Sequence, residues 1–382
     1  MKKIILPVLY FFISISIHAQ DWKDFPVPVS AGIGMEWELQ NSSDDFNYVA
    51  DATSKSEEFS EKWTDFYHNA WTGPGLTIWD RGHSFVNDGN LQIIVNRAGT
   101  NKINTGCITS KQRVKYPVYI EARARIMNAV LANAVWLLSP DDTQEIDILE
   151  AYGSSYSENA QKDQTWFAER IHVSHHVFIR QPFQDYQPKD AGSWYYDGTL
   201  WRNDYHTYGV YWIDPWNLEY YIDGKLIRKV SGKEIIDPLN YTNGTGLSKE
   251  MDIIINVEDQ NWRSDQGITP TDKELENKGD HTFKVDWIRV YKPVKSTVTS
   301  SKEKQKVVLI FPNPTTDSLS IRTEKELKQV EIFNLNGQKI KMFNSSNLSA
   351  KLNVSDLKNG LYLLKASFVD QTEAFHKFSI QR

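Results

Sequence analysis

A single cysteine, Cys107, occurs in 382 residues, which excludes an intrachain disulfide framework and a Cys-based zinc cluster. After the first 20 residues, no apolar run approaches the ~18 that a bilayer span requires, so no membrane span is expected in the mature chain. Helical periodicity is almost absent. Tryptophan is missing from everything after Trp287. What the chain has in quantity is aromatic side chains: 13 Trp, 18 Tyr and 17 Phe. That exceeds what one core needs, so some of these rings are expected to line a binding surface.

The first 20 residues read as a secretory signal peptide. Met1-Lys2-Lys3 is a short positive region, Ile4 to Ile17 is apolar, and His18-Ala19-Gln20 offers a small residue for cleavage. A secreted protein with one cysteine relies on core burial, and on a bound ion if it has one, for its stability.

Composition changes abruptly near residue 296. From Thr297 onward there are 13 Lys+Arg against 8 Asp+Glu, a net of +5, and no Trp. The whole chain carries -6, so without the leader lysines the part before Thr297 carries about -13. A shift of this size marks a domain boundary. The polar stretch 295–306 has no apolar period and reads as a linker between residues 21–294 and 307–382.

Residues 21–294 read as strand after strand. Leu91–Arg97 and Tyr119–Ile126 alternate apolar and polar residues with period two, so each buries one face. His206–Trp212 and Leu218–Ile222 are rich in Tyr and Trp, and Asp223-Gly224 makes a tight turn into Lys225–Val230. Met251–Val257 and Thr282–Tyr291 add two more strands. Many strands joined by Gly, Asn, Asp and Pro turns indicate an all-β jelly-roll β-sandwich. The tail repeats the pattern at small scale, with strands expected at Ser318–Arg322, Gln329–Asn334 and Leu361–Ser367 and turns at Asn336-Gly337 and Asn359-Gly360. It reads as a second, small β-sandwich with no catalytic cluster.

The informative segment is Gln144-Glu-Ile-Asp-Ile-Leu-Glu150. Its carboxylates alternate with Ile146, Ile148 and Leu149, giving a strand with an acidic face and an apolar face. In a regular strand Glu150 would point away from Glu145 and Asp147. One β-bulge between Asp147 and Glu150 returns Glu150 to the acidic face; without it an unpaired carboxylate would be forced into the core. Three close carboxylates with apolar flanks are expected to retain a proton near neutral pH, leaving a charged nucleophile beside a protonated acid. Retaining glycoside hydrolysis needs such a pair roughly 5–5.5 Å apart. On this reading Glu145 is the nucleophile, Glu150 the acid/base, and Asp147 tunes both. A solvated acidic face or a calcium site is the plainer alternative. Trp136, on a strand able to pair with this one, and Trp71, at a turn, could stack on sugar rings, although a core role is commoner for any single Trp.

At these residues the chain resembles glycoside hydrolase family 16, whose Glu-x-Asp-x-x-Glu motif is matched by Glu145, Asp147 and Glu150. The resemblance runs from about Val27 to Pro293 and is nearest the β-agarases of that family, through Trp37–Gln40, Asn104–Ser110, Asp141–Gly153, His175–Arg180 and Asp252–Trp262. It implies a jelly roll with a concave substrate cleft and endo-acting, retaining hydrolysis of β-1,4 bonds between D-galactose and 3,6-anhydro-L-galactose in agarose. It further implies Trp71 and Trp136 as cleft platforms and Arg180, Glu258 and His175 as partners for sugar hydroxyls. No cofactor is implied for catalysis. A structural calcium on the convex face is implied at Asp286 with the carbonyls of Gly89 and Asp45, oxygen ligands that suit this ion; Asp286 pairing with Arg289 is the alternative.

The acidity near -13 disfavours heavily sulfated polymers, so agarose fits better than carrageenan. Porphyran, a β-1,3-glucan, or non-catalytic sugar binding by the same jelly roll are the competing readings. His172-Val-Ser-His175-His176 superficially suggests a transition-metal site. On a strand, however, His172 and His176 share a face that His175 does not, and no fourth ligand is evident. The tail resembles the C-terminal sorting domain of the type IX secretion system, through Phe311–Asp317, Ile332–Gly337 and Asn359–Tyr362. That implies export through the type IX machinery to the exterior or the cell surface. A monomer is expected, with no nucleic-acid partner.

Overall fold

The structure is a computed structural model. It describes Trp22, 25–276, 279–296, 308–323, 325–334, 338–345, 347–370 and 372–382. The signal peptide, nearly all of the linker and the Asn336-Gly337 turn lie outside the described residues. The chain forms two compact units that divide between Ser296 and Thr297.

The first unit is a sandwich of two antiparallel-dominated sheets, as the period-two patterning indicates. Label the strands of one sheet in chain order: β1 (Trp63–Thr64), β2 (Cys107–Ser110), β3 (Ala132–Leu138), β4 (Gln144–Tyr152), β5 (Arg170–Arg180), β6 (Phe183–Tyr186), β7 (Trp194–Tyr196) and β8 (Asp252–Glu258). Their spatial order is β6-β5-β4-β3-β8-β2-β1, with β7 also pairing β5. The opposing sheet has ten strands, with Val118–Arg125 and Thr282–Lys295 near its centre. Asp223 and Gly224 both take positive φ, 47° and 73°, as the tight hairpin turn between two of its strands requires.

Alternation decides which side chains meet between the sheets. Val135 and Leu137 of β3, with Ile253, Ile255 and Val257 of β8, pack against Ile120, Ala122, Ala124, Tyr208, Val210 and Trp212. The intervening residues Ala134, Trp136, Leu138 and Ile254 instead join Tyr67, Trp79 and Cys107 in a smaller apolar cluster on the other face of the labelled sheet. That second cluster is the floor of the cleft.

A buried ion pair ties the start of the unit to its centre. Arg289 and Glu121 are 1–2% exposed at their side chains, with Nε donating to Glu121 Oε2 at 2.8 Å. The rest of the guanidinium collects the main-chain carbonyls of Trp22, Phe25 and Pro26. A charge so deeply buried survives only with its partners satisfied.

The second unit holds a three-stranded sheet (Leu309–Phe311, Ser318–Arg322, Ser349–Asn353) and a four-stranded sheet (Leu327–Phe333, Lys339–Asn344, Gly360–Phe368, Glu373–Ile380). Leu319, Ile321, Val330, Ile332, Leu352, Leu364 and Phe378 give it a core of its own. Among the described residues no helix is long and apolar enough to cross a membrane.

Candidate active site

The expected bulge is present in β4. Against β3, Asp147 pairs with Trp136 and Leu149 with Val135, so Ile148 is the extra residue. Against β5 the register slips between the Asp147–Ser174 and Glu150–His172 pairs. Ile146, Ile148 and Leu149 are fully buried, whereas the Glu145, Asp147 and Glu150 side chains are 16%, 11% and 21% exposed. All three open into one cavity of about 830 Å³. One inserted residue thus places three carboxylates on a single face.

Each carboxylate has different surroundings. Burial alone would raise Glu150, but a hydrogen bond from His172 (Nδ1 to Oε2, 2.7 Å) and one from Tyr152 (Oη to Oε1, 2.5 Å) outweigh it and hold the carboxyl below its usual range. Glu145 has no comparable donor: burial and the adjacent Asp147 charge push it well up. Asp147 is also raised by burial, offset in part by His176. These directions run against the expected order of a bare Glu145 and a protonated Glu150, because Tyr152 and His172 both turn their donors onto Glu150. Tyr152→Phe removes one of those donors and raises Glu150, the lower of the two titrations, so the acid limb of a kcat/KM–pH profile should move to higher pH. An unmoved limb would mean that Tyr152 does not govern this proton.

The other expected cleft residues divide. Trp136 forms part of the floor, donating Nε1–H to Asn256 Oδ1 at 2.7 Å. Trp71 is 47% exposed at the rim, edge-on to Tyr67 and Trp79 at 5.3 and 5.2 Å. Its loop turns at Gly75, where φ is +56° and a Cβ would lie 2.1 Å from Asp259 Oδ2, so only glycine fits there. Arg180 is exposed at the cavity lining, with its guanidinium over Phe183 and Nη1 donating to Asp142 O at 3.4 Å. Glu258 lines the cavity, where Asn256 and Gln260 donate to its two oxygens; burial, with the Glu150 charge next, lifts it to about 8. It makes no pair with Arg263, which bonds Val130 O and Gln164 Oε1.

His175 does not belong to the cleft. It is fully buried, its Nε2 faces Ile236 O at 3.0 Å, and burial pulls it down to about 3. Alternation along β5 turns it into the core and presents His172 and His176 instead. His176 stands across from Glu145. Burial would lower it, but Glu145, Asp185 and Asp147 together raise it to about 10. Tyr67, Asp185, Trp194, Gln260 and Trp262 also line the cavity. Trp194 stacks on His172 at 4.3 Å. Tyr67, Asp185 and Trp194 carry no motif, and Asp185 and Trp194 reach the cleft through the pairing of β6 and β7 with β5.

At the expected calcium position, Asp286 is paired through Oδ2 with Arg123 Nη1 at 2.5 Å, not with Arg289. Asp45 lies close enough for its charge to raise Asp286, although burial is the larger cause. Gly89 takes φ 67° in the turn between Asn87 and Asn90. Two carbonyls and a carboxylate suit a hard cation in kind, but the guanidinium already neutralises the carboxylate. The residues fit calcium only with Arg123 turned away.

Residues 37–293 match the family model described as "Beta-porphyranase A-D, GH16 domain". The chain belongs to glycoside hydrolase family 16. Within the family it is 62% identical over 293 residues to β-agarase B of Zobellia galactanivorans, covering 72% of this chain and 83% of that protein. It is 58% identical over 288 residues to a β-agarase of Phocaeicola plebeius, covering 71% and 90%. The structure of an inactivated mutant of β-agarase B in complex with agaro-octaose superposes with a TM-score of 0.71 at 62% identity, over 72% of this chain and all of that one. Residues 309–381 match the secretion system C-terminal sorting domain, so this family 16 hydrolase carries a type IX sorting tail and is secreted.

Proposed function

We propose that the protein is an endo-acting β-agarase that hydrolyses the β-1,4 linkages of agarose with retention of configuration. The single observation that carries this is the bulged β4, which turns Glu145, Asp147 and Glu150 toward one open, tryptophan-lined cleft. Its likeness to β-agarases at 58–62% identity supports the substrate class.

In the proposed cycle, sugar entering the cleft replaces water around the carboxylates. Proton transfer then leaves Glu145 bare and Glu150 protonated. Glu145 attacks the anomeric carbon while Glu150 donates its proton to the departing oxygen. Glu150, again a carboxylate, next deprotonates the water that breaks the glycosyl–Glu145 ester. The charge on His176 stabilises ionised Glu145 during this sequence. Trp71 and Trp136 would serve as platforms, and Arg180 and Glu258 would bind hydroxyls.

Porphyran is the competing substrate, named in the description of the matched family model. The cleft wall carries six carboxyl groups, Asp142, Glu145, Asp147, Glu150, Asp185 and Glu258, of which burial raises Glu145, Asp147 and Glu258, against Arg180 and the raised His176. A sulfate ester would meet repulsion there. Reducing-sugar release should therefore be high on agarose and at least about tenfold lower on porphyran, with laminarin inert. Equal turnover of agarose and porphyran would overturn the agarose assignment.

We further propose a structural calcium held by Asp286 and the Gly89 and Asp45 carbonyls, with Arg123 displaced. Adding calcium to chelator-treated protein should then raise Tm by about 2–4 °C per kcal/mol of binding. An unchanged Tm at millimolar calcium would remove the site.

A further inference from the structure

His176 meets two carboxylates across the strand pair. Its Nε2 lies 3.7 Å from Glu145 Oε1 and 3.7 Å from Asp147 Oδ2, and the three donor atoms fall within 4.8 Å of one another. Donors about 2.0–2.1 Å from one tetrahedral ion stand roughly 3.4 Å apart, so only a small closure is needed. Two independent features point to a ligand in this gap. As a whole residue Asp147 is 8% exposed, and its Oδ2, although 3.7 Å from His176 Nε2, is buried without a hydrogen bond of its own. On the far side of the imidazole, His176 Nδ1 faces Asp185 Oδ1 at 2.8 Å. A carboxylate in that place orients a histidine so that its other nitrogen can bind metal.

We propose that Glu145, Asp147 and His176 form a tetrahedral site for a divalent transition ion such as zinc, and that filling it inhibits the enzyme. One imidazole and two carboxylates suit zinc, whereas calcium would need six or more oxygens. The fourth position opens to the cleft and would hold water. Inhibition follows because a Glu145 oxygen bound to metal cannot attack an anomeric carbon. Gln187 Nε2 now lies 2.7 Å from His176 Nε2, so the ion takes the place of that amide and expels any proton on the nitrogen. Among the described residues no other group of three or more His, Cys, Asp or Glu side chains is arranged to hold a metal.

The test is calorimetric titration of the tag-free full chain with zinc chloride in the absence of polysaccharide. One ion per chain is expected, weakened about tenfold or more by His176→Ala and by Asp147→Asn, and tightened by Gln187→Ala. Cobalt(II) chloride should give the intense visible absorption of a four-coordinate ion, bleached by zinc and by an agaro-oligosaccharide filling the cleft. If His176→Ala fails to fold, the cobalt spectrum and Gln187→Ala decide. No uptake at millimolar zinc, wild-type affinity in His176→Ala, or a weak six-coordinate cobalt spectrum would overturn the site. Because binding is measured without substrate, these outcomes are separate from the success or failure of the agarase assignment.

Discussion

Glu145→Gln is expected to lower kcat on agarose by about 10⁴-fold or more, because an amide cannot form the glycosyl ester on which the retaining path depends. Folding should be intact. The side chain sits in the cleft, is partly exposed, and leaves the core contacts of Ile146 and Ile148 untouched. Replacing a raised, buried carboxyl by a neutral isostere also relieves its repulsion with Asp147, so Tm should hold or rise slightly. Oligosaccharide binding by calorimetry should survive. Residual turnover above a few per cent would assign the nucleophile elsewhere; loss of binding together with turnover would assign Glu145 to substrate positioning.

Deleting Ile148 should weaken the fold yet leave the acidic face intact. Without the extra residue, Asp147, Leu149 and Glu150 become consecutive strand positions, with Leu149 turned to the core and Glu150 still opposite Ala134. What is lost is a fully buried isoleucine side chain, at a cost of roughly 2–5 kcal/mol. A drop in Tm of about 10 °C is expected, with turnover retained in the folded protein. A folded deletant without turnover would mean that the local twist of the bulge, and not the shared face alone, sets the geometry of Glu145 and Glu150.

The bulge was legible because the residues conflict with a regular strand: Glu145 and Glu150 have opposite parity, and only an extra residue lets both avoid the core. The strands of both units were legible for the related reason that period-two burial writes itself into composition. His175 shows where this ends. Parity already separated it from His172 and His176, but a lone strand does not reveal which of its faces is the concave one. That choice is made by pairing with β4, residues away in sequence and set by the packing of two sheets. What sets the three carboxyls apart was hidden in the same way. Crowding implies a retained proton, yet the donors that lower Glu150 are Tyr152, two residues further on, and His172, across the sheet. Arg123 displaced Arg289 as the partner of Asp286 because Arg289 was already taken by Glu121.

That commitment of Arg289 reaches the front of the polypeptide. A guanidinium sealed in the interior and coordinated by the backbone of residues 22, 25 and 26 makes the opening segment a plug for the domain, not a dispensable tether. A version begun after Pro26 would leave that cation with Glu121 alone, so engineering at this end has to keep Trp22, Phe25 and Pro26.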